Sequence, residues 1–133
     1  MKKDINPPIV EDIALAIVQE GDEENHEWNS YLINLKKSTI EGVIVSTQGY
    51  GEIKGEKKKT TLFRHFLDTL PSSSAKKIEP IAPEVLALSN EFWVSFFLDG
   101  KMYDKKYIFV AESVTKNNMI TVPIIEKRGV MIK

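Results

Sequence analysis

The stretch Glu91–Val110 reads EFWVSFFL, then Asp99-Gly100, then KMYDKKYIFV. Two aromatic-rich runs separated by an Asp-Gly pair form the strongest short-range hairpin signal a sequence offers. A type I′ turn needs positive φ at both central residues, and Asp-Gly tolerates that conformation. Trp93, Phe97, Tyr103, Tyr107 and Phe109 are expected to make this hairpin the centre of the core.

Working outward, most other apolar stretches also read as strands. Residues 9–19 (IVEDIALAIVQ) admit either helix or strand, because Pro8 suits a helix start and Gly21 a helix stop. Their Ile and Val content favours a strand, with Ile13, Leu15 and Ile17 on one side and Ala14, Ala16 and Val18 on the other. Residues 20–27 form an acidic loop. Residues 28–36 and 40–47 read as strands joined by Lys37-Ser38-Thr39, and the run Val43-Ile44-Val45 suggests cover on both faces. Residues 49–59 carry glycines and lysines and read as a loop or hairpin tip.

Residues 60–70 conflict. Leu62, Phe63, Phe66, Leu67 and Leu70 follow helical spacing, whereas the surrounding β pattern argues for a strand leading into a loop. Pro80 confines residues 76–82 to an edge or a bulge. Residues 83–90 suit a short helical turn. Residues 116–133 read as a partly ordered tail, with a strand around Ile120–Ile125 broken at Pro123 and an edge segment at Val130–Ile132. Residues 1–8 read as a loose lead-in stopped by Pro7-Pro8. Short strands at turn-bounded intervals predict a mostly-β fold: one antiparallel β-sandwich domain, immunoglobulin-like, with at most one or two short helices.

The chain of 133 residues is 42% hydrophobic and 28% charged, which excludes disordered and membrane-embedded classes. Its formal net charge of -1 gives no global attraction to nucleic acid or anionic membranes. The absence of cysteine excludes a disulfide scaffold, a thiolate zinc site and a cysteine nucleophile. The N-terminal Met1-Lys2-Lys3 is followed by Asp4, Asn6 and prolines rather than an apolar run. A soluble, cytoplasmic protein without membrane contact is expected.

The chemistry-bearing motifs are sparse. Gly51 and Gly55 lack the spacing and the following Gly-Lys-Ser/Thr of a phosphate loop. Asp22, Glu23, Glu24 and Asn25 lack the alternation of a calcium loop. His26 lies among Glu23, Glu24 and Glu27, and no His pair has metal-binding spacing. His65 beside Arg64 would act as a base only with a hydroxyl placed against it, and no nucleophile motif is present. Asp104 sits among Lys101, Lys105 and Lys106, which suggests cross-strand ion pairing. No cofactor is expected.

Lys54, Lys57, Lys58, Lys59, Arg64 and His65 form a basic cluster in sequence, with Tyr50, Phe63 and Phe66 nearby. Such interleaving neutralises phosphates and stacks bases in nucleic-acid binders. Lysines on a loop or an edge more often serve solvation and block aggregation.

Four segments carry a resemblance: Trp28–Asn34, Thr60–His65, Leu88–Ser95 and Tyr103–Phe109. Together, over residues 9–115, they resemble a group of short bacterial proteins of unknown function, some labelled as the phenylalanine–tRNA synthetase alpha subunit. That label does not transfer as an activity. A class II synthetase alpha subunit is several times longer and has a mixed α/β core with ATP-clamping arginines. Arg64 and Arg128 are the only arginines here, and neither sits in such a motif. The resemblance implies a shared small fold, and carries over no catalytic or tRNA-binding residue.

The leading functional expectation is a non-catalytic module that binds a protein partner or itself as a homodimer. Trp28, Tyr50 or Trp93 would anchor the contact if exposed. The alternatives are an RNA-associated factor using Lys57, Lys58, Lys59, Arg64 and His65, and an enzyme with an unrecognised site.

Overall fold

The computed structural model describes residues 8–22 and 24–133. The expected loose lead-in therefore lies almost wholly outside the described residues. The described chain forms two five-stranded antiparallel sheets. No α-helix occurs among these residues, and the helical turns are 3-10 segments at Pro83–Ala87 and Lys116–Asn118. Among the described residues, no helix is long and apolar enough to cross a membrane.

The strands are β1 (Ile13–Gly21), β2 (His26–Asn34), β3 (Ile40–Ile53), β4 (Glu56–Lys59), β5 (Phe63–Leu70), β6 (Ser74–Ile81), β7 (Ser89–Leu98), β8 (Lys101–Phe109), β9 (Ile120–Val122) and β10 (Lys127–Ile132). The first sheet has the order β6-β2-β1-β10-β9. The second has the order β4-β3-β7-β8, with β5 also paired to β3. Strand β3 is long enough to hold β5 along its first half and β4 along its second.

The β7–β8 hairpin forms as the Asp-Gly signal requires. Asp99 has φ 51° and Gly100 φ 74°, the two positive values of a type I′ turn. Its residues do not all enter the core, however. Phe92, Phe96, Tyr107 and Phe109 are buried, whereas Trp93 and Phe97 lie on the opposite, exposed face. Period-2 alternation separates them: an aromatic residue at 92 or 96 points inward, so 93 and 97 cannot.

One core cluster draws side chains from both sheets. Ile13, Leu15, Ile17 and Leu32 of the first meet Val43, Val45, Phe92, Phe96 and Phe109 of the second. Phe92 meets Phe109 edge-on at 5.7 Å, and Phe96 stacks on Tyr103 at 5.3 Å. The Tyr107 hydroxyl donates to the Ile13 carbonyl at 2.7 Å, tying the sheets together. Burial raises the pKa of that phenol. The Asn34 amide, also buried, donates to the carbonyls of Ser38 and Leu70 where the chain crosses between sheets.

Residues 60–70 resolve in favour of the strand. Their helical spacing comes from bulges. The β3–β5 register shifts around Val43–Asp68, and Asp68 has φ 62°. An extra residue there sends Leu67 and Leu70, three positions apart, to the same side, where both are buried. Strand β6, with Pro80, is an edge strand as expected. The segment 116–133 contributes two strands, and β10 is not an edge. It lies between β1 and β9, with Gly129 against Val18. A Cβ on Gly129 would lie 2.6 Å from the Ile17 carbonyl oxygen, so only glycine allows this approach.

Candidate functional site

The outer face of the second sheet carries the features that need explaining. Cross-strand register gives its layout. Phe66, Ile44, Ser95 and Asp104 form one row across β5, β3, β7 and β8. Arg64, Ser46, Trp93 and Lys106 form the next. Phe97 and Met102 pair beyond the first row, and Glu91 and Ile108 beyond the second. Phe66 is 73% exposed, Met102 54%, Phe97 48% and Trp93 47%. Leu62, Phe66, Ile44, Trp93 and Met102 line a shallow groove that also contains Arg64 and Asp104.

The charges on this face are mixed. The Lys106 ammonium lies 4.8 Å from the centre of the Trp93 ring and 3.5 Å from a Glu91 carboxylate oxygen. Its ion-pair partner is therefore Glu91, not Asp104. Lys105 instead lies over Tyr107 at 4.9 Å.

The β3–β4 hairpin extends the same face. Tyr50 pairs with Lys59 and Glu52 with Lys57, so Lys57 and Lys59 share a side with Tyr50. Lys58 alternates to the other side and pairs with Glu56 at 3.2 Å. A second hollow, between Gln48, Tyr50, Lys57, Lys59 and Glu91, adjoins the aromatic groove, which also includes Glu91.

The fold thus gathers Tyr50, Lys57, Lys59, Arg64 and Trp93 on one surface. It places Trp28 and His65 elsewhere. Trp28 is half-buried against the shared core near the start of β2. His65 points inward from β5, and its Nε2 lies 2.6 Å from Glu79 Oε1 of β6. The Thr47 hydroxyl donates to that same oxygen at 2.5 Å. The backbone around Glu79 is held in turn by Ser30, whose hydroxyl donates to the Glu79 carbonyl. Hydroxyl-based nucleophilic catalysis needs the hydroxyl against the imidazole. Here hydroxyl and imidazole both converge on a carboxylate, which ties the two sheets across the β5–β6 gap.

A further polar cluster was not visible in the sequence. Glu20, read as part of an acidic loop, ends β1 and accepts hydrogen bonds from Asn29, Tyr31 and Lys127. Burial alone would raise its carboxyl pKa, but these three donors and the Lys127 charge outweigh burial and hold it down at about 2. Burial, with the hydrogen bond to Glu20 and its charge, pushes Tyr31 up to about 12. Among the described residues, no three His, Asp or Glu side chains gather to hold a metal ion. The grouping of His26 with Glu23 lies partly outside them.

Trp93 and Arg64 stand out in the sequence by type, and Ile44, in a run expected to be covered on both faces, instead lines the exposed groove, whereas Met102 and Ile108 carry little signal. For Met102 and Ile108 the only signal is that the β7–β8 hairpin is apolar at both odd and even positions, which a strand with one wet face does not require. No protein-family model, no curated protein and no solved structure matches this chain.

Proposed function

We propose that the chain is a non-catalytic, immunoglobulin-like β-sandwich that binds a protein partner through the outer face of its second sheet. The observation that carries this reading is the contiguous exposure of Phe66, Trp93, Phe97 and Met102 across strands β5, β7 and β8. Burying such groups in water-excluding contact is the dominant favourable term in association, and contiguous exposed apolar surface marks interaction sites. Trp93 suits an anchor, with Arg64, Asp104 and Glu91 supplying polar specificity at its sides. The sandwich reading is supported by the core shared between the sheets. We further propose that the chain is cytoplasmic and shares this small fold with the short bacterial proteins that its sequence resembles.

The test is retention from native lysate by the tagged protein, with and without nuclease, compared with a Phe66→Ser, Trp93→Ser variant. A specific protein retained after nuclease by wild type and lost by the variant supports the reading. Equal retention by both removes it.

One observation favours a second reading. Lys57, Lys59 and Arg64 share their face with Tyr50, Phe66 and Trp93, an arrangement that binds single-stranded nucleic acid by stacking and phosphate neutralisation. Glu52, Glu91 and Asp104 on the same face oppose it. Lys57→Glu with Lys59→Glu would abolish such binding, and unchanged affinity for single-stranded RNA would exclude it.

A further inference from the structure

Most sheet edges in this protein are blunted. Strand β9 has 3 residues and β4 has 4, three of them lysine. Strand β6 contains Pro80 and a register shift, and the β3–β5 pairing is bulged. Short length, proline and bulges each discourage edge-to-edge pairing. Strand β8 carries lysines as β4 does, at 101, 105 and 106, but it is neither short nor bulged and has no proline. It spans 9 residues, pairs with β7 without a register shift, and has no other strand neighbour among the described residues.

We propose that β8 pairs antiparallel with β8 of a second copy, in the register centred on Lys105. Residues directly opposite in an antiparallel pair point to the same face, so a symmetric pairing centres on one residue. Centring on Asp104 sets two Asp104 carboxylates opposite each other. Centring on Lys106 does the same with two ammonium groups and leaves Asp104 facing Ile108. Centring on Lys105 sets Asp104 opposite Lys106 of the second copy, and Met102 opposite Ile108, each twice by symmetry. All of these side chains lie on the exposed outer face. Tyr103 then meets Tyr107 on the inner side. Opposite charges and apolar pairs across the strand stabilise this register, and like charges on the outer face disfavour the registers centred on Asp104 and Lys106.

The Lys105 pair on the axis is the one unfavourable contact. Its ammonium is already drawn over the Tyr107 ring of its own strand. The resulting dimer would join two second sheets edge to edge and place their apolar faces side by side. It does not depend on which partner occupies those faces.

The test uses sedimentation across a concentration series together with cysteine cross-linking, which is clean because the chain has no cysteine. Wild type should approach twice its 15.1 kDa chain mass. Asp104→Lys and Lys106→Asp should each weaken association at least tenfold, and the two combined should restore it, since the pair is reversed. Opposed Cα atoms about 5 Å apart suit a disulfide, so Lys105→Cys should cross-link to its own copy under mild oxidation. Lys101→Cys should not, because its counterpart would lie roughly 27 Å away. A single-chain mass throughout, or single charge variants that associate like wild type, would overturn the proposal. So would cross-linking at 101 instead of 105. If Phe66→Ser with Trp93→Ser loses the lysate partner but keeps the dimer, the face and the edge are separate surfaces.

Discussion

The two sheets differ most on their outer faces. On the first, Ala14, Ala16, Val18, Ile33 and Val122 are buried in a cluster of their own. On the second, Phe66, Trp93, Phe97 and Met102 stand in solvent. Both faces are apolar, so hydrophobic patterning alone does not distinguish them. Side-chain size does. Small residues on β1 let larger neighbours such as Tyr31 and Met131 close over the sheet, whereas large aromatics project from the second and find no such cover. The first face contributes to stability, and the second remains free for contact.

Substitutions should separate these roles. The largest effect is expected at Gly129, on the covered face. Gly129→Val would drive a Cβ into the Ile17 carbonyl and the Val18 Cα, and should cost about 3 kcal/mol in urea unfolding. Unchanged stability would mean that β10 does not sit against β1 as described.

Glu20, at the end of the same covered face, comes next. Glu20→Gln should cost about 2 kcal/mol, the scale of a hydrogen bond to a charged group. Its folded pKa lies below the ordinary value of 4.5, at about 2. The stabilisation is therefore complete above 4.5 and is lost as pH falls through that interval. Unfolding curves at a series of pH values should show this loss in wild type and a flatter profile in the variant.

A smaller effect is expected at the hairpin tip. Gly100→Val forces a β-branched side chain to positive φ and should cost about 1 kcal/mol without changing the aromatic face.

The smallest effect belongs to the exposed face. Phe66→Ser should change stability by no more than about 0.5 kcal/mol, and Trp93→Ser, which also loses the Lys106 contact, by no more than about 1 kcal/mol. A loss of several kcal/mol from either would show that this face is covered within the protein, and the contrast between the sheets would fail.

What the sequence revealed follows the range of the interactions. The hairpin was legible because Asp99-Gly100 is a local signal with one meaning. Strand β1 was legible through its Ile and Val content, although Pro8 and Gly21 also suited a helix. Strand β5 was ambiguous because a bulge at Asp68 imitates helical spacing. The position of β10 between β1 and β9 was hidden, since nothing local to Val130 says which strands flank it. The Glu20 cluster was hidden for the same reason: its donors come from β2 and from Lys127, at the far end of the chain. The exposed face was half legible. Trp93 and Arg64 stood out by type, but that Phe66 joins them depends on the pairing of β5 with β3.

The most direct test of the exposed binding face is hydroxyl-radical labelling of the tagged protein, purified and in native lysate, read residue by residue by mass spectrometry. Trp28, half-buried at the core, serves as the internal reference. Phe66 and Trp93 should label readily in the purified protein and lose most of that labelling in lysate, relative to Trp28. Equal labelling of Phe66 and Trp93 in both conditions would contradict a partner on this face.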